Sequence, residues 1–478
     1  MTERFGGWLR PATYLGGNAL TLAGVVITTS TALTMIGAWL LELSSGRAVH
    51  PYSGIVLFLV LPVLFVAGLL LIPAGVLLHR RKLSRLGQSV APATVDFGSP
   101  RIVRATWLVA GFTLVNVVVM GTATSKGVEY LDSSRFCGVT CHHVMQPEYS
   151  AYQVSAHQQI GCAECHVGPG AGSFIGSKLA GVRRVVAIAF DTYSRPIPSH
   201  VEDLPSAAGT CNHCHSGRGF YGTRLAIRPH YGDDEKNTPA ITVLALRLGG
   251  LSNGRRTGIH GVHQNADRPI SYVAADPARQ TIGRVFRADD KGGAVEFVPD
   301  DAKLASSTGA RRTMDCTDCH NRAGHSFPTA EQAVDGAIAS GRISAALPFV
   351  RKEAVAALKA SYSDSETARR GIESALDGFY RTKYPDTYRD ARPAVGTAIA
   401  AAQALYQRYV VPPMKVGWGT YATNIGHQDA PGCFRCHDGN HKSADGRVIP
   451  QDCDTCHTVV AMEEENPKIL TDLGISSF

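Results

Sequence analysis

The sequence predicts a mainly α protein with N-terminal transmembrane helices and an extramembrane part holding little regular sheet. Three observations predict it. Three long apolar stretches lie in the first quarter of the 478 residues. All twelve cysteines come after them, in close pairs each followed by histidine. Between 329 and 409, apolar residues recur at helical spacing.

The apolar stretches run from Ala19 to Leu41, Ile55 to Leu78 and Trp107 to Thr122. The first two are long enough to cross a bilayer as helices, and the third reaches that length from Ile102. Pro62 and Pro73 interrupt the second. A membrane helix tolerates them better than a buried soluble helix, because neighbours satisfy the freed carbonyls. Arg4 and Arg10 precede the first span; His79, Arg80, Arg81, Lys82 and Arg85 follow the second; Arg101 and Arg104 precede the third. The positive-inside rule therefore predicts a cytoplasmic N-terminus and places everything after about Gly121 outside. The first span is too long for a cleaved signal peptide and lacks a small-x-small cleavage site, so it is read as an anchor. Formal charge is +7, and basic residues flank the apolar segments. With no zinc finger, helix-turn-helix signature or basic tail, a nucleic-acid partner is excluded.

Five cysteine pairs read C-x-x-C-H: Cys162/Cys165/His166, Cys211/Cys214/His215, Cys316/Cys319/His320, Cys433/Cys436/His437 and Cys453/Cys456/His457. The remaining pair, Cys137/Cys141/His142, is one residue longer. This spacing signals c-type haem attachment. Two thiols on a short turn form thioethers to the haem vinyl groups, and the adjacent histidine reaches the iron. One copy alone would leave a redox dithiol or a zinc site open. Five copies plus a variant, with no cysteine outside them and histidine always next, point to six covalently bound haem c groups. The expected fold is thus a haem-packed, mainly α multihaem cytochrome. Such haems are attached on the outer side of the energy-conserving membrane, which agrees with the independent topology argument.

The histidine supply fits. Of 18 histidines, His50 and His79 lie in membrane loops, six belong to the motifs, and ten remain. His157, His200, His230, His325 and His427 are the preferred distal ligands; His260, His263 and His441 are close alternatives. For any one of them an ordinary surface histidine is the competing reading. Met145 follows His142 by three residues. A thioether ligand favours ferrous iron and raises the potential, which would set the first haem apart; packing on the porphyrin edge is the alternative. The extra residue in the first motif leaves both His142 and His143 open as proximal ligand.

The motif spacing suggests a membrane anchor over 1–122, a membrane-proximal three-haem domain over 123–215, a mixed connecting region over 216–315, an outer haem-bearing domain with a helical insertion over 316–460, and an acidic tail over 461–478. The connecting region shows short strands, Gly-rich turns and a plausible ligand loop, Gly258 to His263. Ala330, Val334, Ile338, Ile343 and Leu347 mark the apolar face of the helical insertion, which Pro412 and Pro413 end. Glu463, Glu464 and Glu465 read as a solvated end, with a basic partner as the alternative. Glu129, Tyr130 and Asp132 stand at the outer end of the third span, where marking the water boundary is one reading of each.

The region from about Arg104 to Leu204 resembles the NapC/NirT/NrfH family of membrane-anchored quinol dehydrogenases. The resemblance rests on Gly127-Val128-Glu129-Tyr130, Phe136-Cys137, Cys141-His142, Met145, Tyr152, His157 and Cys162 to His166. In that family one helix anchors a periplasmic tetrahaem domain, and quinol is oxidised near the first haem. The resemblance implies that Met145 and His157 are axial ligands and that Lys178, with Glu129 or Asp132, lines a quinol pocket, where the carboxylate would accept quinol protons and Tyr130 would hydrogen-bond a quinone oxygen. Three spans, six haem motifs, the longer first motif and a large C-terminal extension depart from the pattern. Cys316 to Arg322 with His325, and Gly426-His427 before Cys433, are similar to larger inner-membrane multihaem cytochromes of metal-reducing bacteria, which pass menaquinol electrons outward.

The expected function is menaquinol oxidation by a multi-pass protein of the bacterial inner membrane, with electrons leaving to a periplasmic cytochrome or reductase. The alternatives are a non-catalytic electron-transfer subunit of a larger membrane complex and a terminal reductase, such as one for nitrite, with an open iron.

Overall fold

The computed structural model describes residues 18–45, 60–86, 133–140, 142–167, 171–200, 205–215, 222–252, 255–289 and 292–475, with isolated positions from 100 to 130. Asp132, Cys141, most of the third apolar stretch and the side chains of His142, His143 and Lys178 lie outside the described residues. The chain forms two compact units, Met1–His142 and His143–Phe478.

In the first unit, helices α1 (Ala19–Ser45) and α2 (Leu61–Arg85) are long and apolar enough to cross a membrane. Val26, Leu33, Leu40, Val63, Leu70 and Leu77 are exposed. Such an apolar outer surface suits lipid and not water. Pro62 does not interrupt α2, contrary to expectation: it sits in the first turn, where its missing N–H costs no helical hydrogen bond. Pro73 alone is interior.

The two helices meet through small residues. Asn18 Nδ2 donates to the Gly75 carbonyl at 2.8 Å, and Thr28 Oγ1 to the carbonyl of Gly24 at 2.8 Å. A Cβ on Gly68 would lie 2.5 Å from Thr28 Oγ1, and one on Gly24 only 2.8 Å from the Gly68 carbonyl oxygen. Lipid tails give no hydrophobic drive to helix pairing, so close backbone approach supplies the attraction. Gly68→Leu is expected to destabilise the detergent-solubilised protein by about 1–3 kcal/mol, read as a lower melting temperature. An unchanged melting temperature would show that the helices are not in close approach.

The second unit holds more sheet than expected. Strands β1 (Gly222–Tyr231) and β2 (Pro239–Ser252) pair antiparallel, with Ala226 opposite Leu244. Strand β3 (Arg255–Thr257) pairs with the end of β2. A second sheet begins with β4 (Ile270–Ala274), β5 (Ile282–Ala288) and β6 (Ala294–Val298). It is completed by β7 (Arg312–Thr313) and β8 (Lys442–Ser443), in the order β7-β4-β5-β6-β8. Finally β9 (His457–Glu464) joins β2, with Ala461 opposite Val243. The expectation of little regular sheet is therefore corrected. Leu244, Leu246 and Leu248 do alternate with Ala245 and Arg247, and pairing with β1 on one side and β9 on the other extends this short run into a long strand.

Strands deliver the motifs. β7 runs into Cys316, β8 follows His437, and β9 begins on His457. The last strand also revises the picture of the tail. Glu463 to Glu465 are exposed, but Ala461 and Leu470 are buried with Ile241 and Val243, so this segment is part of the fold.

The helical insertion is present. In chain order, α3 (His142–Tyr152), α4 (Cys162–His166), α5 (Ala171–Ala189) and α6 (Ala207–Cys214) precede the sheets. Short α7 (Gly258–His263), α8 (Ala302–Ala305) and α9 (Cys316–Cys319) lie among the strands. The insertion itself is α10 (Ala330–Ala339), α11 (Val350–Lys359), α12 (Ser365–Lys383), α13 (Pro385–Asp390) and α14 (Arg392–Tyr409). Thr329 and Gln332 form a capping box on α10, and Asp364 caps α12 through the Thr367 N–H. All five residues expected on the apolar face are buried, together with Ile372, Leu376, Ala398 and Leu405.

Candidate electron-transfer site

The second unit brings five motif histidines each opposite a non-motif histidine. Ring centroids are 5.9 Å apart for His215–His157, 6.1 Å for His166–His325, 6.2 Å for His320–His260, 5.9 Å for His437–His263 and 6.2 Å for His457–His427. Ordinary aromatic neighbours also fall in this range. What distinguishes these pairs is that each joins one motif histidine to one other, and no ring is shared. A metal–imidazole bond is about 2.0 Å, so two rings bound on opposite sides of one iron have centroids about 6.3 Å apart.

Hydrogen bonds set the tautomers. Nδ1 lies 3.1 Å from the Ala323 carbonyl in His157, and 2.9 Å from that of Glu148 in His325. In His263 it lies 2.7 Å from the Ile259 carbonyl, and in His437 2.6 Å from that of Pro450. A carbonyl only accepts, so Nδ1 carries the proton and Nε2 keeps its lone pair for a metal. Burial pushes the pKa of His325 down to about 4 and lowers those of His166, His263, His320 and His457. These rings are neutral, the ligand-competent form.

The thiols tell the same story. Burial pushes Cys319 up to about 11 and Cys436 up to about 12. They are not the activated thiolates of a redox dithiol. Among the described residues no cluster of three or more His, Cys, Asp or Glu side chains assembles a metal site, so the tetrahedral donor set of zinc is missing there. Pairs of axial imidazoles beside paired thiols fit haem c, whose porphyrin supplies the other four donors.

Backbone detail places the ligands. Gly258, at φ +78°, opens α7 tight against β2; a Cβ there would lie 2.8 Å from the Arg247 carbonyl oxygen. The helix can then present His260 and His263, three residues apart, toward two different motifs. Those two motifs are also tied directly. Arg435, inside the fifth motif, donates Nη2 to the carbonyl of Asp318, inside the fourth, at 2.7 Å, and Nη1 to that of Arg279 at 2.7 Å. The Asp318 side chain is 2 % exposed and pins the fourth motif. It accepts from Tyr272 Oη at 2.5 Å, Arg312 Nε at 3.2 Å and the Asp315 N–H at 2.8 Å.

Asp318 and Arg435 escaped the sequence reading; Asp315-x-x-Asp318 is a capping box, the one local signal that was there to find.

Three expected ligands are not brought opposite a motif histidine among the described residues. His230 Nδ1 sits 2.9 Å from Asp335 in a buried network with Arg351, whose Nε donates to Asp335 at 3.1 Å. His441 is 1 % exposed and hydrogen-bonds Asp438 through Nδ1 at 3.0 Å. His200 adopts a left-handed backbone at φ 69°, and burial, reinforced by Arg279, pushes its pKa down to about 4. Met145 is half-buried and packs against the cluster of Val144, Val411, Met414, Val416 and Tyr421. In the first unit, Glu129 pairs with Lys126 at 2.7 Å, and the Tyr130 ring meets Phe136 edge-on at 5.5 Å.

Apolar N-terminal helices and repeated haem-attachment pairs facing spare imidazoles define a membrane-anchored multihaem c-type cytochrome, an electron-transfer protein. Residues 100–220 match the model for the N-terminal region of the NapC/NirT cytochrome c family. The chain is 34% identical over 454 residues to the cytochrome c-type protein ImcH of Geobacter sulfurreducens, covering 94% of this chain and 89% of that one. It is 29% identical over 115 residues to the cytochrome c-type protein NrfH of Wolinella succinogenes, covering 23% of this chain and 64% of the relative. No solved structure matches significantly. The chain belongs to the NapC/NirT cytochrome c family.

Proposed function

We propose that this protein is a hexahaem cytochrome that oxidises menaquinol at the outer face of the bacterial inner membrane and passes the electrons to a periplasmic cytochrome or reductase. The observation that carries the reading is the set of five imidazole pairs at 5.9–6.2 Å. His166/His325, His215/His157, His320/His260, His437/His263 and His457/His427 would hold the iron of the second to sixth haems. By family resemblance Met145 would serve the first, with His142 or His143. Haem c bound there supplies a row of one-electron carriers.

Quinol loses two protons with its two electrons, so a carboxylate is needed where quinol meets the chain beyond the third span. Glu129 and Asp132 occupy that segment. The Lys126–Glu129 pair is more than half exposed on both sides, and such pairs are weak. Tyr130 offers a hydroxyl to a quinone oxygen. Three spans with a cytoplasmic N-terminus hold the cysteine motifs on the periplasmic side. A terminal reductase needs an iron with an open position, and paired imidazoles at five motifs argue against one there.

The test is stopped-flow mixing of the oxidised holoprotein with a menaquinol analogue. Rapid reduction is expected, blocked by a quinone-site inhibitor and slowed about 100-fold in Glu129→Gln or Asp132→Asn. No reduction by quinol, in protein that dithionite still reduces, would make the chain a subunit fed by another protein.

A further inference from the structure

Arg322 follows His320 by two residues and precedes His325 by three, so it lies between two of the paired sites. Its guanidinium carbon stacks 3.7 Å from the centre of the Tyr421 ring and 5.5 Å from that of Phe327. Stacking covers the face of the group and leaves its edge to be satisfied by an acceptor. Yet both Nε and Nη2 are shut off from solvent without a hydrogen-bond partner. Two buried charged donors without an acceptor carry their full desolvation cost. That edge of a guanidinium is also the one that takes a carboxylate through two parallel hydrogen bonds.

The nearby acid does not close it. Glu148 is 7 % exposed, and its charge acts on Arg322. Its own Oε2 is buried and unpartnered, so it makes no hydrogen bond to the guanidinium edge. Among the described residues no carboxylate meets that edge. Each haem c carries two propionates, and Arg322 lies beside two attachment regions.

We propose that Arg322 binds a haem propionate through Nε and Nη2. The source is either the haem on Cys162/Cys165, whose axial partner is His325, or the one on Cys316/Cys319. This rests on the haem-site reading above. A guanidinium on a propionate neutralises a negative charge that otherwise stabilises ferric iron, so Arg322 raises the potential of the haem it holds.

The test is a spectroelectrochemical titration of the purified holoprotein, with electron paramagnetic resonance resolving individual low-spin haems. Arg322→Gln is expected to keep full haem content and to shift one haem to lower potential. Arg322→Lys keeps the charge and loses the fork, so a smaller downward shift is expected. A His325→Met background marks the haem on Cys162/Cys165 and tells the two sources apart. Unchanged potentials in Arg322→Gln would mean that water fills the edge, and wild-type potentials in Arg322→Lys would mean that charge alone acts. Either result overturns the clamp. If Arg322→Gln does not assemble, the lysine variant decides alone. Absence of covalent haem from the wild-type protein would instead overturn the reading on which the clamp rests.

Discussion

Replacing both Cys316 and Cys319 with serine is expected to cut the electron path in its middle. Successive motifs neighbour one another: α4 packs on α6 and α6 on α9, Arg435 of the fifth motif binds the Asp318 carbonyl of the fourth, and Phe434 of the fifth stacks on His427, which faces His457 of the sixth. The attachment sites from the second to the sixth therefore follow one another in space in their order along the chain, and the fourth is the bridge. Without its thioethers no cofactor is held between His320 and His260. His263 still faces His437, so the fifth site keeps its ligands. Haem analysis should fall from six to five per chain. Quinol should then reduce only the haems before the gap, while dithionite reduces all five. Complete and rapid reduction by quinol in this variant would show that the path bypasses the fourth motif, and the serial arrangement would be wrong.

Asp318→Ala should be the most destabilising single change in the second unit. The carboxylate is almost wholly buried and accepts from Tyr272, Arg312 and the Asp315 N–H; Arg279 Nη1 lies 3.5 Å away. Removing it takes this counter-ion from Arg279, leaves Arg312 with Asp315 alone, and removes the half of the capping box that holds the Asp315 N–H. Breaking a fully buried pair costs about 3–5 kcal/mol. Arg312 and Arg279 keep 33% and 20% of their side-chain surface in water, which screens part of that, so about 2–4 kcal/mol is expected. Asp318→Asn keeps the shape and should lose about half as much. Denaturant midpoints of the holoproteins measure both. An alanine variant as stable as wild type would mean that the fourth motif is held by its thioethers and not by this network.

The anchor, the attachment motifs and the helical insertion were legible because each is written locally. Twenty consecutive apolar residues, two thiols three positions apart, and Val334 and Ile338 four apart are patterns that neighbouring positions enforce. The sheets were less legible. β2 becomes a strand because β1 lies on one side and β9 arrives from more than two hundred residues away, and a run such as Leu244-Ala245-Leu246 does not announce that partner.

The sequence by itself determined that there are twelve cysteines in six close pairs, each pair followed by a histidine, and enough spare histidines to face them. It also placed the motifs after the apolar helices. Only the tertiary structure decided which histidine stands opposite which. His325 meets His166, His263 meets His437, and His200, His230 and His441 meet none of the described motif histidines. The reason is physical. Attachment joins groups within one turn of chain, so spacing along the sequence is enough to reveal it. Opposition of two rings across about 6 Å constrains the distance between points of the chain far apart in sequence, and only the packing of the sheets and short helices between them sets that distance.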